Sequence, residues 1–445
     1  MPEDISPQKH PLFAEVIANP DDMAPRLVYA DWLEEQGDPR SEFIRIQCRI
    51  AELTPEDREF HSLDKEQMKW IKSNRHLGAP KLAKLIRHIK YFRGFVENIR
   101  LGIRQFLKHS EEIYDLAPIR ETFLTSLSHR TMDAFLSCSS ISRLHSLKLS
   151  NGELTEENWK SFASSTDFTN LKKFTPTNGV LQDFEMRAVV NFNCIEQLVE
   201  LNLGSWCTSQ EVFSEFVKSP RLSGLENLSL NRSKQLDFAT LADPVSLTNL
   251  KSVQLVENEI SAEIFRLLAS SPTFENLREL YFSTNFKTEH DLASDFIRAQ
   301  PMKLIERLDL QHNHLNDEFV EAIFHQLEWP HLKRVNFEDC SLTQDAANSI
   351  ASSERLKQLK DLKLSRNAIY DAGAIAICKS QKVSELGILE LSTCGLTDET
   401  GKAILDADLS MLAHLNMTGN PISREMQLAL RRKFGVGVCV FSRPA

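Results

Sequence analysis

One phrase, L-x-x-L-x-L-x-x-N-x-L, recurs along most of this 445-residue chain and limits its fold more than any other feature. Clear copies are Leu250, Val253, Leu255, Asn258, Ile260, then Ile305, Leu308, Leu310, Asn313, Leu315, then Leu359, Leu362, Leu364, Asn367, Ile369. Eleven copies begin at residues 144, 171, 198, 225, 250, 277, 305, 332, 359, 386 and 412, and two weaker ones precede them at Val96 and Ile119. A fixed period of this size marks a solenoid, in which each unit buries its apolar face only against its neighbours. The L-x-L core alternates with period two and predicts a short strand with its leucines turned inward. The ninth position turns the chain away. Asn258, Asn285, Asn313, Asn367 and Asn420 can satisfy backbone groups that the turn leaves unpaired. Cys340 and Cys394 stand there as small buried groups with a weak S–H donor. Gly152, Gly179, Trp206 and Ser233 depart from the pattern, so a less regular turn ladder is expected in the N-terminal half.

Helical stretches follow the turns. Ser261 opens one, with Ile264, Phe265, Leu267 and Leu268 as its apolar stripe; Asp317-Glu318 and Ala372 to Cys378 open others. A helix is ~10 Å across and strands stack at ~4.8 Å, so such an array must curve. The expected fold class is α/β: a horseshoe with a parallel sheet on its concave side and helices on its convex side. Repeats of this length with full helices resemble the ribonuclease-inhibitor-like class of leucine-rich repeats over about residues 94 to 434. The resemblance implies a fold and says almost nothing of function. The chain divides, on this reading, into a helical module and N-terminal cap (1–92), the repeats (93–434) and a C-terminal capping strand (435–445), in which Val436, Val438 and Val440 alternate.

Residues 1–92 carry no repeat phrase and read as an all-α module. Leu12 to Ala18 is one short helix; Asp21-Asp22 cap a second, which runs to Gln36 with Gly37 as its stop; Asp38-Pro39 start a third, ending near Leu53; Thr54-Pro55-Glu56 opens a fourth. Lys81 to Lys90 is a fifth, with Lys81, Lys84, Arg87 and Lys90 on one side and Leu82, Leu85, Ile86 and Ile89 on the other. In the second helix Leu27, Val28, Ala30, Trp32 and Leu33 read as the buried stripe, and Arg26, Asp31, Arg45 and Gln47 as polar ties to the third. The run from Pro25 to Arg40 (PRLVYADWLEEQGDPR), with Glu42 to Gln47 behind it, resembles the bacterial repeat-companion domain known mainly from planctomycetes. That resemblance implies a helical companion to a repeat array in a bacterial protein, with no activity to carry over.

The formal charge is −10, from 52 basic and 62 acidic residues, which argues against a general nucleic-acid binder. No apolar h-region opens the chain, no stretch reaches the ~18–20 apolar residues of a membrane span, and no Cys-x-x-Cys pair occurs among the eight cysteines. These features predict a cytoplasmic protein with reduced thiols and no membrane insertion. Motifs for chemistry fail one by one. Gly395 and Gly401-Lys402 do not have P-loop spacing; no H-E-x-x-H or G-x-S-x-G appears; no cysteine has the Asp two residues on that repeat-containing ubiquitin ligases use. His312 and His314 form an H-x-H pair, which reads as exposed turn residues rather than metal ligands. No cofactor or metal is expected, and the chain reads as non-catalytic.

The expected working surface is the concave face. The residue between the two strand leucines points out of it at Arg100, Phe123, Lys148, Thr175, Asn202, Ser229, Gln254, Tyr281, Asp309, Asn336, Lys363, Glu390 and Asn416. Of these, Phe123, Lys148, Asn202, Gln254, Tyr281, Asp309, Asn336, Lys363 and Glu390 are the candidate contacts for another protein. The row reads basic to polar at its start and more acidic from Asp309 onward. A structural or regulatory role in which the helical module does the recognising is the alternative. An enzyme or a GTPase regulator is the reading from another class.

Overall fold

The computed structural model describes residues 10–74, 80–151, 154–177, 180–205, 208–243, 246–286 and 302–442. They fall into two compact units, one of Met1–Thr54 with Glu59–Gly204, the other of Pro55–Arg58 with Ser205–Ala445. In each unit strands stack on strands and helices pack on helices, so each has a strand layer and a helix layer.

The first unit opens with helices α1 (Pro11–Ala18), α2 (Ala24–Glu35) and α3 (Arg40–Glu52). Asp22 accepts from the Ala24 N–H at 2.9 Å, and Gly37 stops α2 with φ +67°, a conformation that costs a side chain dearly. The buried stripe of α2 differs from the expected one. Arg26, Tyr29, Ala30 and Leu33 are buried, whereas Leu27 and Val28 are exposed. Ala30 and Leu33 are buried as expected and Trp32 packs against the same core, but hydrophobicity alone misplaces Leu27 and Val28 and misses Arg26. The buried face is chosen by partners farther along the chain. Arg26 pairs with Glu97 at 2.9 Å and donates to the carbonyls of Pro20 (2.6 Å) and Arg93 (3.2 Å). Arg93 closes the group on the other Glu97 oxygen at 2.9 Å. Of the polar ties expected between α2 and α3, Arg45 makes them, to Asp31 (2.6 Å) and Glu34 (2.8 Å). Gln47 instead holds Gln67 and the Gly94 N–H.

Two helix expectations change. Thr54–Asp57 is a turn, and α4 starts only at Arg58 (Arg58–Ser73). The helix expected over 81–90 ends early: α5 is Pro80–Leu85, and His88–Phe92 is a strand, β1, antiparallel to β2 (Phe95–Gly102). Lys90 pairs with Asn98 in that ladder, so the four basic residues do not form one helix face. The open edge of β2 needs backbone partners, and an alternating segment eight residues upstream supplies them. Parallel strands β3 (Glu121–Leu127), β4 (Ser146–Asn151), β5 (Lys173–Thr177) and β6 (Glu200–Asn202) follow β2. Phe162, Phe168, Phe174 and Phe192 pack in one cluster beneath them, with centroids 5.0–5.6 Å apart.

The second unit carries β7 (Asn227–Ser229), β8 (Ser252–Gln254), β9 (Glu279–Tyr281), β10 (Arg307–Asp309), β11 (Arg334–Asn336), β12 (Asp361–Lys363), β13 (Ile388–Glu390), β14 (His414–Asn416) and β15 (Cys439–Val440), all parallel. The ninth-position residues form the expected ladder. Asn313 donates to the carbonyls of Phe282 (3.0 Å) and Leu310 (2.7 Å) and accepts from the N–H groups of Asn285 (2.7 Å) and Phe286 (2.8 Å). Two repeats along, Asn367 likewise donates to the carbonyls of Phe337 and Leu364 and accepts from the N–H groups of Cys340 and Leu342, and the thiols of Cys340 and Cys394 reach the carbonyls of Leu310 and Leu364 at 3.1 and 3.2 Å. Ser233 is fully buried; its N–H donates to Asn258 Oδ1 at 2.8 Å and its hydroxyl to the Asn231 carbonyl at 3.3 Å. Gly152, Gly179 and Trp206 lie outside the described residues. Helices Ala262–Ala269, Gln344–Ser352 and Asp398–Asp406 are opened by Ser261, Thr343 and Thr397, whose hydroxyls accept the first free N–H groups. At the far end helix Arg424–Phe434 leads through Gly435 to β15. In this segment Cys439 and Phe441 are buried, whereas Val436 and Val440 are exposed. Among the described residues, no helix is long and apolar enough to cross a membrane.

Candidate protein-interaction face

In a parallel ladder, residues in register form a row, and rows two residues apart share a face. The second unit brings six of the candidate residues into one unbroken row: Gln254, Tyr281, Asp309, Asn336, Lys363 and Glu390 pair in register across β8 to β13. Phe123 and Lys148 are paired in the first unit, and Asn202 follows Leu201, which pairs with Phe174. All nine are half-buried, their flanks covered by neighbours and their tips outward.

Their functional groups are largely engaged along the row. Asp309 accepts from Ser283 Oγ and Asn336 Nδ2, both at 3.0 Å. Tyr281 donates to Glu279 Oε2 at 3.2 Å, and burial raises its phenol. Burial pushes the Glu390 carboxyl up, but bonds from His414 (3.2 Å) and Asn416 (2.6 Å) outweigh it and hold it below its ordinary value. Lys148 pairs with Glu121 at 2.9 Å, and Arg100 lies over the Phe123 ring at 4.7 Å. Such cross-strand contacts fix each side chain and reduce the ordering cost of meeting a partner.

The sequence reading took one outward row and passed over the row two residues earlier. That row holds Glu279, Arg307, Arg334, Asp361 and His414. Period-two alternation from Asp309 or Lys363 leads straight to it. Arg307 and Arg334 correct the expectation of a face turning acidic from Asp309 onward: both signs are interleaved there. Asp361 is 4% exposed, its Oδ1 accepts no hydrogen bond, and burial raises its carboxyl to about 6.

Chemistry-bearing groups elsewhere are spread out. His312 Nδ1 meets Asp339 at 3.0 Å and His314 Nδ1 meets Ser341 at 3.2 Å, so the pair diverges. Among the described residues no group of three or more His, Cys, Asp or Glu side chains could hold a metal. Cys48, Cys340, Cys378 and Cys394 are buried free thiols, and burial raises those of Cys48 and Cys394 to about 11 and those of Cys340 and Cys378 to about 12, away from the reactive thiolate. Cys207 lies outside the described residues.

Short parallel strands, a side-chain turn ladder and a helix layer define a repeat solenoid. More particularly, the fold is that of a leucine-rich-repeat protein. The Leucine Rich repeat family matches residues 303–324 and 357–378. Mouse ribonuclease inhibitor is similar over 128 residues at 28% identity, covering 27% of this chain and 28% of its own length. Human NACHT, LRR and PYD domains-containing protein 5 is similar over 138 residues at 32% identity, covering 29% of this chain and 11% of its own. The match thus spans well under a third of either relative. Among solved structures, the complex of yeast Rad7 and Elc1 contains a chain similar in fold, with TM-score 0.53 and 16% identity, covering 89% of this chain and 92% of that one.

Proposed function

We propose that this chain is a non-catalytic scaffold that binds another protein on the exposed strand face, centred on Tyr281, Asp309 and Asn336. The observation that carries the reading is the pair of outward rows across β8 to β14. Most of their side chains are held by neighbours and half-buried, Asp361 alone of those named being buried, and together they carry both signs of charge. Electrostatic complementarity of that kind selects partners and sets register more than it adds raw affinity. The relatives fit a binding role, since one is named for inhibiting a ribonuclease and the fold neighbour was solved in a complex. The other candidate contacts, Phe123, Lys148 and Asn202, lie on the strands of the first unit. A reducing compartment such as the cytoplasm suits the free, buried thiols. The run from Pro25 to Gln47 supports a repeat-companion module spanning about residues 1–92. The relatives above come from mouse, human and yeast, so a bacterial source rests on that run alone.

The test is capture by cross-linking and mass spectrometry with the wild type and with Tyr281→Ala/Asp309→Lys. The double variant is expected to lose the partners that the wild type recovers. Identical recovery would remove the face from consideration. One observation favours the helical module as recogniser: a cavity of about 620 Å³ lined in part by Gln47, Met68, Trp70, Ile86 and Tyr91. Ala83→Trp fills it, and loss of partners in that variant alone would favour the second reading.

A further inference from the structure

We propose that the turn Pro55–Arg58 is an internal occupant of the second unit's strand face, and that a partner segment presenting a carboxylate to Arg334 binds there only by displacing it. The proposal rests on the reading of this face as a protein-binding surface. By its contacts the turn belongs with the second unit. Glu56 places both carboxylate oxygens on Arg334, at 2.6 Å from Nε and 3.2 Å from Nη2, with only 4% of the Glu56 side chain and 16% of the Arg334 side chain exposed. A two-pronged guanidinium–carboxylate pair is the strong and directional form of this interaction. Gly387 makes room for the backbone: a Cβ there would collide with the Glu56 carbonyl oxygen. Arg58 completes the seat by donating Nε to the Leu412 carbonyl at 2.8 Å. Arg334 and Asp361 share a register row, which continues through Ile388 to His414, so the turn crosses one end of β11 to β14. It lies two residues from the row of Asn336, Lys363 and Glu390.

The seat differs from an ordinary structural strut in one respect. Buried polar groups in a strut are satisfied. Here Asp361 lies buried beside Glu56 with an oxygen that accepts nothing. The charges that act on it are Lys363 on its own strand (3.9 Å), Arg307 on β10, Arg334 on β11, Glu390 on β13 with its partner His414 on β14, and Glu56 of the turn. Glu56 disfavours the ionised Asp361, and burial disfavours it more. The seated turn is held by the Glu56–Arg334 pair and the Arg58–Leu412 bond among its contacts, and it is opposed by a neighbouring carboxylate once that group ionises. A contact so balanced can exchange with an external carboxylate segment of the same chemistry. The intramolecular turn has the advantage of high effective concentration until such a segment is offered at comparable strength.

The test uses the full chain and a fluorescein-labelled peptide of residues 53–60, which carries the Pro-Glu-Asp-Arg turn. Hydrogen exchange is measured for peptides covering 54–58 and 386–390 in wild type, Glu56→Arg and the charge-swapped Glu56→Arg/Arg334→Glu. Expected are at least tenfold faster exchange in Glu56→Arg, recovery in the swap, and unchanged exchange at the Asn285 and Asn313 turns, which reports intact folding. Glu56→Gln serves if the arginine variant does not fold. The labelled peptide is expected to bind Glu56→Arg at least tenfold more tightly than wild type, to lose that binding in the swap, and to bind more tightly at pH 5 than at pH 7.5. Unchanged exchange, equal peptide binding to wild type and Glu56→Arg, or no binding to either overturns the proposal. These readouts need no natural partner, so they fail separately from the face reading, which falls only if partner capture ignores Tyr281 and Asp309.

Discussion

In the second unit each strand from β7 to β14 is three residues long, and the turns after β8 to β14 are closed by an Asn amide or a Cys thiol. In the first unit β2 to β5 run five to eight residues, and positions 152 and 179, where the amide would stand, are glycine. The first unit replaces the amide ladder with longer backbone ladders and with apolar volume, the four-phenylalanine cluster. Three-residue strands recur where side chains close the turns of β8 to β14, but β6 and β7, with Trp206 and Ser233 at that position, are equally short; in β2 to β5 the longer strands and the cluster add pairing and packing of their own. The cluster can tolerate irregular turns because dispersion and burial are not directional. The ladder cannot, because each amide serves two turns at once.

Three experiments break or sharpen that contrast, and chemical denaturation reads all of them. Phe162→Ala strikes the cluster where it touches Phe168, Phe174 and Phe192, and is expected to cost about 4 kcal/mol, the transfer of a buried ring plus its cavity. A cost under about 1 kcal/mol would show that the longer strands alone hold the first unit. Asn313→Ala leaves two carbonyls and two N–H groups without their amide and is expected to cost about 3 kcal/mol, whereas Asn313→Cys, copying positions 340 and 394, is expected to cost about 1 kcal/mol. Equal costs would mean that the amide acts only by volume.

A further effect is pH-dependent. Asp361 is held at about 6 in the fold, chiefly by burial, against about 4 for an unfolded carboxylate. Its contribution to stability is therefore fully present below pH ~4 and is lost as pH rises through ~6, amounting to about 3 kcal/mol. Asp361→Asn should flatten that stretch of the stability profile and leave the variant more stable than wild type at pH 7. A parallel decline in both proteins would contradict the assignment.

Legibility in the sequence followed the distance over which each interaction acts. The L-x-L alternation and the ninth-position amide act within one repeat or between neighbours about 27 residues apart, and recurrence made them visible. The row of Gln254, Tyr281, Asp309, Asn336, Lys363 and Glu390 was legible for the same reason. The companion row of Arg307, Arg334 and Asp361 was equally available through period two but was not taken. The helix expected over 81–90 failed because the amphipathic pattern there also satisfies a strand once β2 offers a free edge.

From its own residues the chain determines a repeating strand, turn and helix, the parallel register and the outward row, because these depend on local periodicity and on contacts repeated at a constant interval. Tertiary structure alone decides which side of α2 is buried and what covers the far end of the strand face. Arg26 turns inward because Glu97, on a strand beyond the helical region, receives it. Glu56 meets Arg334 across 278 residues, and Arg58 meets the Leu412 carbonyl across 354. Each of those contacts occurs once, so no period announces it, and its strength depends on burial and geometry that exist only after the chain has folded.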